Sequence, residues 1–475
     1  MNIYFILAFT CINFSLSFPL FRREADIVVN TQVVYTTAVV TQYQTVYAGV
    51  QTTTATVSPT TTSLLDTTTN AETTLTSTTS INIPQAAETQ AKPVLLANEF
   101  ISQNGTVNDF YSTIGKIWSR FWVESGQNWN EDDSICGTGT YSQPVVWDQA
   151  VIGRAITDLK DTSKINSTIA NIYQYKNPTL NAYSATEAGD DDIYNDDNAQ
   201  VAWVFIDGYK ITGNEEYLNS AQDIVDFLIG QWNPSTGGVI WSYNGDYIAS
   251  ISTTEAALAA MRLYSVTQNQ THLEFAENCM NFMFQYLQDP NDHLFYDGLD
   301  KNDITNVNDG KLTYTVGVGI STLAYLYQFT GNSKWLNSAI ELGNAALNQN
   351  GAFYGSNKIL NNPLKYVHLL YAGISDLLTI VPWQESFDYF RSEMIRQGNF
   401  VFDFLQDPAD ISLYFDSATG ATQLMFNDYE AIYNDGQTFT LSTSIYCNNN
   451  VNNATQKVLL DNASAAQILY EVSRL

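Results

Sequence analysis

The chain has 475 residues, of which 49 are acidic and 20 are basic, so its formal net charge at pH 7 is −29. This acidic excess argues against a nucleic-acid-binding protein, because such binding depends on Lys and Arg neutralising phosphates. It also argues against binding to anionic membrane surfaces, and it suits a soluble extracellular protein that acts on a neutral polymer.

The first segment, residues 1–18, is predicted to be a secretory signal peptide. Its apolar stretch lies at the extreme N-terminus and is too short to span a bilayer comfortably. Arg22 and Arg23 resemble a dibasic processing site, so residues 19–23 would be removed and the mature chain would begin at Glu24. We therefore expect a secreted protein that is extracellular or associated with a cell wall.

Residues 24–95 are predicted to form a disordered stalk. Nineteen of the thirty positions between 51 and 80 are Ser or Thr, and no apolar period is visible there. Such a segment cannot bury enough apolar surface to offset the entropy of ordering, and its composition is typical of O-glycosylated stalks. The stretch 31–50 within it is more β-prone.

Asparagine and cysteine usage agrees with secretion. Beyond the predicted signal peptide, five Asn-x-Ser/Thr sequons are present, at Asn104, Asn166, Asn269, Asn453 and Asn462. After the signal peptide the cysteines are Cys136, Cys279 and Cys447, which allow at most one disulfide and leave one thiol. The fold must therefore rest on a hydrophobic core. The C-terminus carries no hydrophobic tail after a spacer, which predicts no glycolipid anchor.

From residue 96 to residue 475, a repeated turn predicts an array of helical hairpins. A segment that begins Thr-Gly-Asn at 212–221 recurs at 330–339, with a weaker copy at 267–276. The starts are 55 and 63 residues apart, which is the length of one two-helix unit. In each copy Gly or Asn reverses the chain between two helices. Hairpins that close on one another over this length predict an all-α domain, the (α/α)6 barrel, with long aromatic loops around a cleft at one end.

The region after Pro382 departs from the hairpin pattern. Residues 400–415 and 437–446 contain patches that look strand-like, and no helical register is assigned to this region from the sequence.

The most specific chemical feature is a pair of adjacent carboxyls, Asp196 and Asp197. They close an acidic run that already carries 190–192, and an apolar helical pattern follows at 201–209. Cleavage of a glycosidic bond needs two carboxyls, one to attack or stabilise the anomeric carbon and one to protonate the leaving oxygen. Aspartates here can also cap a helix. The pair by itself therefore leaves both interpretations open.

Ordered motifs around the pair resemble a known family. They are Asp-Asp-Asn-Ala at 196–199, Thr-Gly-Asn-x-x-Tyr-Leu at 212–218, Gly-Gly-x-x-Trp at 237–241, Ile-Ser-Thr-Thr-Glu-Ala-Ala at 251–257, Tyr-Asp-Gly at 296–298 and Thr-Tyr-x-x-Gly at 313–317. Together they resemble glycoside hydrolase family 76, the α-1,6-mannanases and their fungal cell-wall relatives. The resemblance covers residues 100–375 well. One departure is Gln200, which stands where many members carry Trp.

The resemblance implies a secreted endo-acting enzyme that cleaves α-1,6-linked mannan, either as polysaccharide or as a mannoprotein glycan. Asp196 would be the nucleophile and Asp197 the acid/base. The substrate contacts it predicts are Asp297, Trp241, Tyr314 and Asn198. Neighbouring Cα atoms are about 3.8 Å apart, so the two carboxyls can reach the short spacing of retaining enzymes. Two like charges this close should also split their pKa values, one falling and the other rising.

Two other functions stay open at the level of sequence. One is a transglycosidase that attaches mannosyl chains of glycoproteins to wall glucan, and the predicted lack of a glycolipid anchor favours a released hydrolase over it. The other is a non-catalytic mannan-binding wall protein on the same scaffold, against which the intact aspartate pair argues.

We expect a monomer that needs no cofactor or metal. Calcium could use the oxygen ligands of 190–192 with Asp196, but no calcium-loop pattern is present. The histidines His272, His293 and His368 are scattered, which argues against a zinc site.

Overall fold

The computed structural model describes residues 27–35, 39–47, 99–101, 107–137 and 141–475. The chain divides into two compact units, Met1–Val94 and Leu95–Leu475. In the first unit, strand β1 (Ile27–Tyr35) pairs antiparallel with strand β2 (Val39–Tyr47). These strands fall at and around the β-prone stretch. The predicted signal peptide, the dibasic site and the Ser/Thr-rich run at 51–80 lie outside the described residues.

The described part of the second unit is mostly helical, which confirms the predicted all-α class. Its α-helices are α1 Phe110–Phe121, α2 Val146–Leu159, α3 Thr162–Ile172, α4 Asn195–Thr212, α5 Glu215–Gly230, α6 Ser250–Thr267, α7 Gln270–Phe282, α8 Thr313–Thr330, α9 Ser333–Ala346, α10 Leu364–Ile380, α11 Phe387–Phe400, α12 Gln423–Tyr433 and α13 Leu459–Ser473. Its short strands are β3 Glu99–Ile101, β4 Val107–Asp109, β5 Trp122–Val123, β6 Asn128–Trp129, β7 Tyr247–Ala249, β8 Gly298–Asp300 and β9 Asp303–Asn308.

Six helices form a closed inner ring. Helices α2, α4, α6, α8, α10 and α13 each contact the next in that order, and α13 returns to contact α2. Helices α1, α3, α5, α7, α9 and α11 pack outside them. Inner helices are buried on all sides, and α6 is buried at every position from Ser250 to Leu263. Outer helices bury one stripe, as expected for amphipathic helices at a surface. This is the predicted (α/α)6 barrel.

The repeated Thr-Gly-Asn turn links inner to outer helices. After α4, Gly213 adopts a left-handed conformation (φ 73°), and the side chain of Asn214 accepts a hydrogen bond from the Glu216 backbone to cap α5. The weaker copy places Gln268 in the left-handed position (φ 56°) and caps α7 with Asn269. The motif thus ends one helix and starts the next, because it satisfies backbone groups that each terminus leaves free.

The region after Pro382 forms isolated bridges but no strand where the sequence looked strand-like, and residues 400–405 are helical, so that expectation is wrong. Helix α11 continues into a π-helical turn at Val401–Leu405. Residues 437–445 form no strand, and Tyr446 makes an isolated bridge to Thr455. A short run of apolar and aromatic residues fits a buried helix as well as a strand. The last helix, α13, then closes the inner ring.

One disulfide joins Cys136 and Cys447, and Cys279 is a buried free thiol. The bond connects the segment before α2 to the segment before α13, which are neighbours in the inner ring. It confirms the expectation of one bridge and one unpaired cysteine among the three. Within the described residues, every helix is too short or too polar to cross a membrane.

Candidate active site

The N-terminal ends of five of the six inner helices line a cavity of about 590 Å³. Residues at the second or third position of these helices line it: Trp147 on α2, Asp196 and Asp197 on α4, Ile251 on α6, Tyr314 on α8 and Tyr366 on α10. Residues between the helices complete the wall, among them Tyr194, Trp241 and Asp297 in loops, Tyr247 on β7 and Asn308 on β9. Of the six site residues predicted from sequence, the structure brings five to this cavity.

The first turn of α4 is joined to the loop that carries Trp241. The side-chain amide of Asn195 donates to the Ile240 carbonyl at 2.7 Å, and its backbone N–H donates to the Trp241 carbonyl at 2.8 Å. The Trp241 indole N–H in turn donates to Asp196 Oδ2 at 3.1 Å. The other oxygen of this carboxyl, Oδ1, is buried and has no hydrogen-bond partner in the described part of the chain.

Both carboxyls of the pair have raised pKa values. Burial is the main cause for Asp196, and its pKa rises to about 6, with Asp297 adding repulsion. Burial and then the negative charge of Asp196 raise the pKa of Asp197 well above its ordinary value, with Asp148 contributing further. The expectation that one value would fall is therefore wrong, because removal from water outweighs the helix N-terminus.

Asp297 is held beside the pair by a small sheet. Strand β7 pairs with β8 so that Ala249 lies opposite Gly298. A side chain at Gly298 would meet the Ile248 carbonyl and the Tyr247 ring at 2.4–2.6 Å, so only glycine fits this position. Asp297 Oδ2 accepts hydrogen bonds from the Tyr247 hydroxyl at 2.6 Å and from the Asn308 amide at 2.8 Å. Its carboxylate is thereby fixed in the cavity wall.

Aromatic side chains form two groups in the cavity. Tyr194 and Trp241 contact each other with ring centroids 5.0 Å apart, next to Asp196. Tyr366 contacts Trp147 in a stacked arrangement at 6.1 Å and Tyr314 at 4.9 Å. The second group comes from α2, α8 and α10, and α10 is opposite α4 in the ring. Aromatic faces of this kind suit the apolar faces of sugar rings.

Asn198 is the predicted site residue that the structure does not bring to the cavity. Its side chain is fully buried. Its carbonyl accepts from the Tyr183 backbone N–H at 2.7 Å, and its amide donates to the carbonyls of Tyr183 and Tyr194. These bonds hold the preceding loop against α4, which makes Asn198 a support for the first turn rather than a cavity residue.

The acidic run 190–192 lies in the loop before α4. The Asp190 carbonyl accepts from the Asn177 amide and the Ser184 hydroxyl, and an Asp191 carboxylate oxygen also accepts from Asn177. In the part of the chain that the structure describes, no group of three or more His, Cys, Asp or Glu side chains is arranged to hold a metal ion.

The sequence model of Glycosyl hydrolase family 76 matches residues 114–384, more than half of the chain. The chain belongs to this family. The matched region ends before α11, so the last three α-helices of the chain, including α13 of the inner ring, lie beyond it.

Two relatives and one solved structure illustrate the family's range. The Meiotically up-regulated gene 191 protein of Schizosaccharomyces pombe is 28% identical over 350 residues, covering 66% of this chain and 79% of that protein. The mannan endo-1,6-alpha-mannosidase DCW1 of Eremothecium gossypii is 33% identical over 162 residues, 30% of this chain. The chain thus spans 36% of that relative's length.

The solved structure is an inactive variant of the alpha-1,6-mannanase GH76A of Salegentibacter sp. in complex with alpha-1,6-mannotriose. Its TM-score is 0.60 at 16% identity, and the match covers 77% of this chain and 98% of that chain. Two consecutive aspartates are replaced by asparagine in that variant. At 16% identity, this similarity shows that the two proteins share a fold.

Several cavity residues of this family 76 member escaped the sequence analysis. Trp147 and Tyr366 could have been found by asking which residues stand at the second or third position of each inner helix. Tyr247 and Asn308 left no such signal, because only the β7–β8–β9 sheet brings them to Asp297. Glu255 lies within a quoted motif but was not singled out, and it is fully buried in the cavity wall.

Proposed function

We propose that this chain is a secreted, retaining endo-α-1,6-mannanase that hydrolyses α-1,6-linked mannan through Asp196 and Asp197. The observation that carries the proposal is the placement of two adjacent carboxyls in one cavity with two groups of aromatic side chains. The names of the DCW1 relative and of the Salegentibacter structure support the choice of α-1,6-mannan. The predicted signal peptide at 1–18 supports secretion.

The proposed reaction has two steps. In the first, an oxygen of the Asp196 carboxylate attacks the anomeric carbon while the Asp197 carboxylic acid gives its proton to the departing glycosidic oxygen. The glycosidic bond breaks and a mannosyl ester of Asp196 forms. In the second step, Asp197 takes a proton from a water molecule, whose oxygen attacks the anomeric carbon and breaks the ester. Two inversions at this carbon give net retention.

The surroundings of the two carboxyls support this assignment. With the pKa of Asp196 at about 6, that carboxyl is ionised at pH 7, as a nucleophile must be. The pKa of Asp197 is raised well above its ordinary value, which keeps a proton available for the leaving oxygen. Activity should therefore fall as the pH drops through about 6, because Asp196 becomes protonated. It should fall again at high pH as Asp197 loses its proton.

The two aromatic groups support action within a chain rather than at its end. Sugar rings on both sides of the scissile bond would each find an aromatic face, since Trp241 contacts Asp196 and the second aromatic group is centred on Tyr366 of α10, opposite α4. Asp297, fixed by Tyr247 and Asn308, is placed to accept a hydrogen bond from a sugar hydroxyl.

The test is digestion of unbranched α-1,6-mannan by the purified protein, followed by proton magnetic resonance. We expect a ladder of short mannosides whose first-formed reducing ends are α-anomers. Initial β-mannose would contradict retention, and release of mannose alone would contradict endo action. Longer products formed only when an oligosaccharide acceptor is added would identify the transglycosidase. Mannan binding without any product would identify the non-catalytic wall protein.

A further inference from the structure

Glu255 is a buried carboxyl next to the pair that the proposed mechanism does not use. It lies in the second turn of α6, its side chain is fully buried, and it contributes to the wall of the cavity that holds Asp196 and Asp197. Gln200, one helical turn after Asp196 on α4, donates its side-chain N–H to Glu255 Oε1 at 3.0 Å. This bond joins α4 to α6 directly behind the catalytic pair.

Two buried oxygens in this region lack partners. Glu255 Oε2 and Asp196 Oδ1 are both inaccessible to solvent and have no hydrogen bond within the described residues. Because Glu255 Oε1 already accepts from Gln200, a proton on this carboxyl belongs on Oε2. A buried donor without an acceptor and a buried acceptor without a donor are each costly, and a shared proton removes both costs.

We propose that Glu255 is a positioning residue, held as a neutral carboxylic acid, which shares its hydroxyl proton with Oδ1 of Asp196 directly or through one bound water. With Trp241 on Oδ2, this would give the nucleophile a donor on each oxygen and fix its orientation. The proposal rests on the proposed function for its kinetic consequence, but the protonation of Glu255 can be measured without substrate.

The charges around Glu255 agree with a neutral acid. Burial raises its pKa well above the ordinary value, and the charges of Asp196 and Asp197 on α4 raise it further. The Gln200 bond and Arg154 on α2 act in the opposite direction but are smaller. On α8, Tyr314 is also kept neutral, because burial and then the charges of Asp196 and Asp297 raise its pKa. A second ionised carboxyl beside Asp196 would also disfavour the nucleophile's own charge.

The experiment compares Glu255→Gln, which keeps a neutral donor of the same shape, with Glu255→Leu, which removes it. In Glu255→Gln we expect kcat/KM on mannotetraose within about threefold of the wild type and an unchanged acidic limb of the pH profile. In Glu255→Leu we expect a loss of about 10- to 100-fold, with the acidic limb moved up by one pH unit or more, because Asp196 loses a hydrogen bond to its charged form. Thermal unfolding of each variant separates these effects from loss of fold.

Three results would overturn the proposal. A downward shift of the acidic limb in both variants means that Glu255 is ionised in the native enzyme. An unchanged limb in both means that its role is packing alone. Infrared difference spectra at pH 7 should contain a carbonyl stretch of a protonated carboxylic acid that Glu255→Gln removes, and its absence overturns the proposal even if the wild type proves inactive on mannan. Inactivity of the wild type with that band present would count against the proposed function only.

Discussion

The first turns of α4 and α13 share their third and fourth residues, an aspartate and an asparagine, and differ at their first two. In α4, Asp196 and Asp197 precede Asn198; in α13, Leu460 and Asp461 precede Asn462. Both asparagines are fully buried and clamp the backbone of the loop before the helix, Asn198 at Tyr183 and Asn462 at Tyr414. Asn462 also belongs to a sequon, yet its amide nitrogen already donates to the Val458 carbonyl inside the fold.

The two turns also share a partly buried acid with a raised pKa. Burial, with repulsion from Asp416, raises the pKa of Asp461 to about 7. What α13 lacks is the second carboxyl, because Leu460 stands where α4 has Asp196. The comparison separates the scaffold, which is the asparagine clamp and the partly buried acid, from the chemistry, which needs the adjacent pair.

The largest expected effect is on the pair itself. Asp196→Asn removes the nucleophile and should lower kcat/KM on mannan by about 10⁴-fold or more. The matched change in the first turn of α13, Asp461→Asn, should leave kcat/KM on mannan equal to that of the wild type. Initial rates on α-1,6-mannan, measured on both variants and the wild type, check this. Equal activity of Asp196→Asn and the wild type would remove the pair from the mechanism.

A smaller effect is expected at Asp197 and depends on the leaving group. Asp197→Asn should slow mannan cleavage by about 10²- to 10⁴-fold, because the departing oxygen is no longer protonated. Mannosides with an activated aryl leaving group need no protonation, so formation of the mannosyl–enzyme from them should be nearly unaffected. Pre-steady-state release of the aryl group measures that step. Equal loss on both kinds of substrate would place the acid elsewhere.

The asparagine clamps test the shared scaffold. Asn198→Ala and Asn462→Ala each leave the loop's backbone N–H and carbonyl without partners inside the protein, so each should lower the free energy of unfolding by about 2–4 kcal/mol. Urea denaturation followed by circular dichroism gives both values. Asn198→Ala should in addition reduce activity, because it loosens the turn that carries the pair. A purely kinetic effect without loss of stability would make Asn198 the substrate contact suggested by the family resemblance.

The smallest expected effect concerns the partly buried acid of α13. A carboxyl whose pKa is raised on folding favours the folded state only while it is protonated. The wild type should therefore lose stability as the pH rises from about 4, the value in the unfolded chain, to about 7. Asp461→Asn removes this penalty and should be more stable by about 1–2 kcal/mol at pH 8.

The same difference should vanish below about pH 3, where Asp461 is mostly protonated in both the folded and the unfolded chain. Asp428→Asn, on the exposed face of α12, serves as the control and should not change the free energy of unfolding at either pH. If Asp461→Asn remained more stable than the wild type at low pH as well, the role assigned to burial of this carboxyl would be contradicted.

The hairpin array could be predicted where the turns carry a recognisable residue. The copies at 212–221, 267–276 and 330–339 all do. The turn between α2 and α3 has the same geometry, with Lys160 in the left-handed conformation (φ 60°) and Asp161 as the cap. It went unnoticed because lysine gives no sign of that conformation. Likewise, the aromatic run that ends α11 has no feature that distinguishes a buried helix from a strand.

The sequence by itself determined the adjacency of Asp196 and Asp197 at the start of a helix, the repeated turns and hence the hairpins. These are local features, set by a few consecutive residues. The tertiary structure decided that α13 closes the ring against α2, that Asn198 supports the loop, and that Glu255 lies beside the pair. The tertiary structure also decided that the pKa values of Asp196 and Asp197 both rise, because residues distant along the chain bury the two carboxyls.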